Sequence, residues 1–528
     1  MEKNLATCVV AITLLAGLTC PAQLAAQYHH YKLIDLGTFG GPSSGFGSEP
    51  FLRVINLAGT VVGGADTSAL TPEPGCYNPV NAPDCYISHA FAWSNGYLKD
   101  LGTLQGGNFS FASSINQHGL TAGVSENGQT DPATGNPEFH AVVWEGGRIR
   151  DLGTLGGTSS FAGTVNNLGQ VAGNALNAIP DQYSMLGSGS QTTMTQTRAF
   201  LWQNGNMHDL GTLGGPDSWA GYINDLGQIA GTSYTSDIAD RKTGVPPIGV
   251  FLWQNGKMKN LGGLGGDTGS LLGFAGIVSG LNNLGEVTGA MEIPGNQFLH
   301  AFLWNGSSLL DLGTLGGGGS LALGINDSGQ VFGVSSLNGN RVLFHAFVTE
   351  NGTMVDIGTT GGYACSVALG INSTGQTVGA LTSSVDGCSA WRRAFLWENG
   401  EPMVDLNSLV PLDSPLQLFA AFNINDQGEI VGGGMPHSCT NSDTCPDNHA
   451  FLLIPCDQYH PGIQNCDYSL VETDTAAWTS AEQPAIPQEQ PAPDQRNPIR
   501  PSRRGLRTPS LPRLLGPASW APANLDNL

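Results

Sequence analysis

Two residue types recur in this chain at positions where chemistry could be done. Aspartate stands at Asp35, Asp100, Asp151, Asp209, Asp311, Asp356 and Asp405, each opening an Asp-Leu-Gly type of segment, with Asn260 in the corresponding place of one further copy. Histidine stands at His89, His140, His300, His345 and His449, each just before Ala-Phe or Ala-Val. A ring of carboxylates would bind cations, and imidazoles ligate metals and move protons. The recurrence itself argues otherwise, because a site needs one or two copies of a residue, whereas a residue present in nearly every unit serves the unit. Each aspartate is therefore expected to accept hydrogen bonds from nearby backbone in its own unit, and each histidine to pack or to hydrogen-bond between units. Arg198, Gly249 and Arg393 occupy the histidine position in three copies, which excludes a fixed catalytic duty for it.

Other reactive patterns fare no better. The string Gly41-Pro42-Ser43-Ser44-Gly45 has the G-x-S-x-G form, but it lies in a glycine-rich stretch with no helix after it, so a nucleophile elbow is not expected. H-E-x-x-H, a phosphate-binding loop and a calcium loop of the D-x-D-x-D-G type are all absent from the sequence. Glycine clusters such as Gly316 to Gly319 open no helix and suit no nucleotide. No catalytic residue, no metal site and no cofactor is expected. Beyond Cys8 and Cys20, eight cysteines fall into close neighbours: Cys76 with Cys85, Cys365 with Cys388, Cys439 with Cys445, and Cys456 with Cys466. An even count without a C-x-x-C pair reads as disulfides rather than zinc.

The elements that carry these residues are short. In the segment from His300 to Gly333, Leu309 to Leu312 forms a first strand and Ser320 to Ile325 a second, which ends in the turn Asn326-Asp327-Ser328-Gly329. Gln330 to Gly333 is a third strand, and after a connection of variable length His345 to Val348 is a fourth. Asn-Gly turns such as Asn255-Gly256 and Asn399-Gly400 then lead to the next copy. The Ile-Asn position recurs at Asn56, Asn116, Asn166, Asn224, Asn282, Asn326, Asn372 and Asn425, and the Asp-Leu-Gly positions are 45 to 65 residues apart. Eight units of four strands predict an all-β chain, a β-propeller of four-stranded blades. Eight blades are expected, or seven if a divergent copy such as the first is not a true blade. The chain starts on a first strand and ends on a fourth, so the last blade must combine strands from both chain ends. An open solenoid is the other architecture compatible with the repeats, though polar capping units are missing. Either the Gly-Thr-Leu-Gly-Gly loop or the variable connection must cross between blades.

These motifs resemble the HAF repeat family of bacterial extracellular repeat proteins. The resemblance is carried by His-Ala-Phe-Leu-Trp at His300, Asp-Leu-Gly-Thr-Leu-Gly-Gly at Asp311 and Ile-Asn-x-x-Gly-Gln at Ile325, and covers about four fifths of the chain. It implies export and a repeat fold, and adds almost nothing on chemistry.

Export is also readable at the amino terminus. Lys3, an apolar run from Leu5 to Leu18 and Leu24-Ala25-Ala26 before Gln27 form a signal-peptide pattern, so residues 1–26 are expected to be removed. A lipid-modified Cys20 is the alternative. Residues 27–466 form the repeat domain, and 467–528 hold ten prolines and a run of arginines at Arg500, Arg503, Arg504, Arg507 and Arg513, the composition of a disordered tail. Charged residues are only 12% of the chain while glycine numbers 75 in 528 residues, which points to tight turns rather than charged helices. The net charge of −22 would repel phosphate backbones and excludes a nucleic-acid partner. No later segment is apolar for the 20 or so residues that a membrane span requires.

Strand parity places the first and third connections of every unit on one face and the tight turns on the other. The long insertions are third connections, and they carry Tyr77, Tyr86, Tyr183, Tyr234 and Trp391. Aromatic residues on one face of a repeat protein suggest a binding side. The expectation from sequence is therefore a secreted, non-catalytic binding module for an extracellular glycan or protein, in the extracellular space or periplasm. A surface scaffold or adhesin, or a propeller-type glycoside hydrolase or lyase, are the other readings.

Overall fold

The turn sequences fold as their composition dictates. Asn95, Asn204, Asn255 and Asn351 adopt positive φ of 50 to 52°, and each is followed by a glycine at 77 to 83°. Two consecutive left-handed residues make the tight hairpin whose twist matches that of its flanking strands. The glycine of every Asn-x-x-Gly turn, from Gly59 to Gly428, is left-handed too. The structure, a computed structural model, describes residues 27–472 apart from 47–52, 73–84, 133–134, 187–193, 242–243, 267–275, 296–297, 338–339, 384–387, 389, 399, 440–441 and 443–444. The signal-peptide segment, Cys8, Cys20, Cys76, Tyr77 and the arginine run lie outside the described residues.

Eight four-stranded antiparallel sheets form the blades of a β-propeller, and a two-stranded sheet joins Gln27–His29 to Leu470–Glu472. Among the described residues there is no α-helix, only a 3-10 turn at Leu406–Ser408. Blade 6 shows the plan. Its inner strand is Gly316–Ile325, its second Val331–Leu337, its third Asn340–Glu350, and its outer strand Thr353–Gly358. The outer strand carries the Asp-Leu-Gly position of the following unit, so a blade takes three strands from one repeat and one from the next. The Gly-Thr-Leu-Gly-Gly loop is thus the crossing between blades, running from the outer strand of one to the inner strand of its neighbour.

Closure uses both chain ends. In blade 8 the order is Tyr31–Asp35, His449–Pro455, Ile430–Pro436 and Leu416–Ile424, with Leu33 opposite Leu453 and Asp35 opposite Phe451. The outermost strand of the last blade is therefore the first strand of the ring, and no blade is left with an open lateral face.

Each blade is packed around the aromatic of His-Ala-Phe. Phe91, Phe200, Phe251, Phe302, Phe347, Phe395 and Phe451 are all fully buried, and in blade 2 Val142 takes the place and Trp144 fills the space. The ring of each lies where a side chain on the second strand would stand. A Cβ on Gly379 would come within 2.8 Å of the Phe395 ring, and one on Gly432 within 2.5 Å of Phe451. Disulfides join Cys365 to Cys388, Cys439 to Cys445 and Cys456 to Cys466, and Cys85 is disulfide-bonded as well. Among the described residues no helix is long and apolar enough to cross a membrane.

Candidate functional site

The asparagine of each Asn-x-x-Gly turn has two tasks. Within its own turn the Oδ1 of Asn326 accepts the backbone N–H groups of Ser328 at 3.1 Å and Gln330 at 2.9 Å. Its Nδ2 donates outward to the carbonyl oxygen of Asn372 in the next blade at 2.9 Å. The same outward bond runs from Asn56 to Asn116, Asn116 to Asn166, Asn166 to Asn224, Asn224 to Asn282, and Asn282 to Asn326. It continues from Asn372 to Asn425 and returns from Asn425 to Asn56 at 3.0 Å, closing a circle through all eight blades. A carbonyl oxygen has two lone pairs, and that of Asn326 also accepts Gly329 N–H of its own turn. Aspartate or serine would cap such a turn equally well, but neither carries the amide N–H that reaches the neighbouring blade.

A second set of bonds lies beside the first. Gln117, Asn167, Asp225, Asn283 and Asp327 follow the ring asparagines, and each accepts the backbone N–H of its counterpart one blade earlier at 2.8 to 2.9 Å. Asp426 accepts Ser373 N–H in the same way. Asp225 and Asp327 additionally accept the side-chain amides of Asn167 and Asn283 at 2.8 Å.

These turns surround the mouth of an axial cavity of about 240 Å³ that every blade helps to line. Its wall is the inner strand of each blade just before the turn. There a β-bulge interrupts pairing, as between Ala112 and Ser114, Val278 and Gly280, Ala322 and Gly324, and Ala368 and Gly370. The bulge re-aims side chains toward the axis. At this place the lining has Gly280, Gly324 and Gly370 in blades 5 to 7 and Ser114, Thr164 and Tyr222 in blades 2 to 4. Ser114 is 1% exposed and its hydroxyl has no protein hydrogen-bond partner among the described residues. The lining carries three carboxylates, Asp225, Asp327 and Asp426, and one cation, Arg53, with no histidine or cysteine.

The histidines and aspartates singled out in the sequence pair with one another inside the blade. Nδ1 of His300 lies 2.9 Å from Asp311 of the adjacent outer strand, and His89–Asp100, His140–Asp151, His345–Asp356 and His449–Asp35 repeat the pair at 2.8 to 2.9 Å. A bond from blade to blade was the expectation; the bond instead joins the third and outer strands of one blade. Where arginine replaces histidine it reaches toward the same carboxylate, Arg198 to Asp209 at 3.9 Å and Arg393 to Asp405 at 3.8 Å. Gly249 faces Asn260, so loss of the base and loss of the acid coincide. Each aspartate also accepts the N–H two residues on, as Gly313 donates to Asp311 at 2.8 Å. Burial pushes the Asp35 carboxyl up, but the hydrogen bonds from His449 and Gly37 and the His449 charge together hold it below the usual carboxylate range. The His449 imidazole is pushed up by its hydrogen bond to Asp35, against the effect of burial. Among the described residues no cluster of three or more His, Cys, Asp or Glu is placed to hold a metal.

The aromatic residues of the insertions do not assemble into a platform. Parity puts them on the face opposite the cavity mouth. Tyr234 is 5% exposed and its hydroxyl donates to Tyr183 O at 3.2 Å, so these two meet as packing around Asp217 rather than as a surface. Burial and the neighbouring Asp181 push the Asp217 carboxyl up to about 8, although Met185 and Thr197 N–H donate to it. Tyr86 is half-buried at the start of the third strand of blade 1. Trp391 packs on Phe422 with ring centroids 5.4 Å apart. The G-x-S-x-G string is inner strand, Gly40–Gly45, and Ser43 hydrogen-bonds to the buried Asp66.

No family model and no curated protein matches the sequence. In fold the chain is similar to an acylaminoacyl peptidase of Pyrococcus horikoshii, with a TM-score of 0.38 and 11% identity over 72% of this chain and 56% of that one. It is similar to the β-propeller domain of the trilobed protease from Pyrococcus furiosus, at 0.37 and 11% over 71% and 98%. A third is Porphyromonas gingivalis dipeptidyl peptidase 4, at 0.37 and 10% over 73% and 57%. The chain spans a little over half the length of the acylaminoacyl peptidases it matches. The expectation of a secreted, non-catalytic binding module for an extracellular glycan or protein is corrected at this point, since the similar structures are peptidases and the propeller domain of a protease. At such identity and TM-score the likeness shows a β-propeller and assigns no activity to this chain.

Proposed function

We propose that this chain is the peptide-admitting propeller of a peptidase system, an extended peptide entering the axial cavity from the tight-turn face while a separate unit supplies hydrolysis. One observation carries the reading: a cavity reached from all eight blades and lined by side-chain amides, carboxylates, hydroxyls and backbone. Peptide backbone presents both donors and acceptors, and the lining holds asparagine amides, serine and threonine hydroxyls and carboxylates. Sugars stack on aromatic faces, and among the described residues the lining offers two aromatic side chains, Tyr222 and the buried Phe332. The lining contains no histidine or cysteine to serve as base or nucleophile, so the chemistry is assigned elsewhere. Three carboxylates against one arginine favour a peptide with a positive charge.

Isothermal titration of the full chain with capped tetrapeptides tests this. A peptide with a central arginine should bind more tightly than its glutamate counterpart, and replacing Asp225, Asp327 and Asp426 with Asn should remove that preference about tenfold. Equal binding of both peptides, or none of either, overturns the reading. Export is proposed on the signal-peptide pattern together with the disulfides, and membership of the HAF repeat family on the motifs quoted above.

A further inference from the structure

The axial cavity ends on a floor. In blades 2 to 7 the inner-strand residue two before the turn asparagine closes the β-bulge at one shared register, and it is Ser114, Thr164, Tyr222, Gly280, Gly324 and Gly370 in turn. Tyr222 alone among these carries a large side chain. It packs against a core cluster formed by blades 1, 2 and 8, which includes Phe46, Val54, Ile115 and Val431. None of those blades adjoins blade 4, so the phenol ring meets them only across the axis.

Further aromatic rings complete the floor from the opposite side. On blade 8 the cavity lining runs from Asp426 back to Asn423, and the next residue away from the mouth is Phe422. The Phe422 ring stands edge-on to Phe46 of blade 1 with centroids 6.1 Å apart, and it lies 5.4 Å from Trp391 of blade 7. Rings packed at such distances fill the interior as a core does and leave no bore for a polypeptide. The space above them, about 240 Å³, is below the ~300 Å³ at which pockets for whole small molecules begin. It takes one short extended segment, whereas a loop would bring in two segments side by side, about 5 Å apart.

Resting on the reading of a peptide-admitting cavity, we infer that Tyr222 is the stop of a closed cup, and that the peptides it takes are held by one chain end whose terminal residue abuts the phenol ring. An internal loop is excluded. Tyr222 precedes Asp225 by three residues, a span of at most about 10 Å. An extended entering chain rises by about the same step per residue. Its cation therefore meets Asp225, Asp327 and Asp426 when it stands about three residues from the buried end. Floor and rim together select the chain end and the place of the charge.

Photocrosslinking on the full chain tests it, with short peptides that carry a diazirine amino acid at one end and a single arginine placed at increasing distance from that end. One series uses the amino end and another the carboxyl end, and the links are mapped by mass spectrometry. In the intact protein they should fall on Tyr222, with a yield that peaks with arginine at about the third residue and drops about tenfold when it is moved three residues farther. Tyr222→Gly and Tyr222→Ser install residues that other blades already carry at this place, and in them the links should move on to Phe422 and Phe46. Links in the intact protein to residues farther from the mouth, such as Trp219 or Phe161, would show a chain that threads the ring. Links confined to the turn residues of the rim would show one that never reaches the floor. Either result, or a pattern unmoved in both variants, overturns the inference while the peptide reading stands. Absence of arginine-dependent binding in the titration overturns both. The map of the intact protein decides the matter even where a variant unfolds.

Discussion

At the scale of single residues, the side chains that organise this ring are those whose two ends do different work. An Asn in the Asn-x-x-Gly turn was readable from sequence as a turn former, because that role is local. Its second role, donating Nδ2 to the next blade, was not read, although a signal existed: all eight copies keep Asn where Asp or Ser would cap the turn as well. The recurring His and Asp pair with each other across the sheet; Arg198 keeps the acid Asp209 as its partner, and where Gly249 replaces the base Asn260 replaces the acid. The glycine on each second strand carries a comparable constraint. A Cβ at Gly379 would press on the fully buried Phe395 ring and on the inner-strand carbonyl of Val367, and neither a packed ring nor a paired strand can retreat freely. Gly379→Ala should therefore destabilise the protein by about 3 kcal/mol, read from the midpoint of chemical unfolding. Gly352→Ala, at an open turn with φ of 77°, should cost about 1 kcal/mol. Equal effects of the two would refute the packing argument.

At the scale of the element, hairpins were legible and their allocation to blades was not. The tight turns force adjacency, so the strands follow from sequence as two hairpin pairs per unit. Which pairs share a blade depends on whether the chain crosses at the Gly-Thr-Leu-Gly-Gly loop or at the variable connection, a choice that a circular repeat leaves undetermined, because cutting the period anywhere gives the same pattern. The structure places the crossing in the Gly-Thr-Leu-Gly-Gly loop, where Thr314 and Ser320 hydroxyls tie the loop to its own backbone. Ser320 also accepts Ala301 N–H from the preceding blade at 2.9 Å, stitching the inner strand of one blade to the third strand of another. The strand His449–Pro455 shows what such placement implies, since it lies between Tyr31–Asp35 on one side and Ile430–Pro436 on the other. Deleting His449 to Ile454 strips both neighbours of their partners and removes the buried Phe451. Thermal unfolding followed by circular dichroism should then lose its cooperative transition or shift downward by more than 10 °C, about 9 kcal/mol for a ring of this size. An unchanged transition would show that the ring is held without its seam.

At the scale of the whole molecule, closure depends on a joint between residues more than four hundred positions apart. The outermost strand of blade 8 comes from the start of the ring, and His449 and Asp35 lie 2.9 Å apart across that joint. Both side chains are less than a third exposed, so their attraction is only partly screened. The His449 imidazole titrates above its ordinary value of 6.5, chiefly because Asp35 accepts its hydrogen bond. Its contribution to stability is fully present below pH 6.5 and is lost as pH rises through the raised value. The Asp35 carboxyl titrates below its ordinary value of 3.8, so its contribution is present above pH 3.8 and is lost as pH falls through the lowered value. The joint is therefore tightest between about pH 4 and pH 6.5, and it loosens toward neutrality by about 1 kcal/mol. Differential scanning calorimetry of the full chain at half-unit steps from pH 4 to 9 should show the unfolding temperature declining above pH 6.5. His449→Asn, which keeps a donor for Asp35 but cannot titrate, should flatten that part of the decline while leaving the acid limb below pH 4 in place. A decline of equal depth in the variant would assign the pH dependence to other groups and leave the seam to its backbone bonds alone.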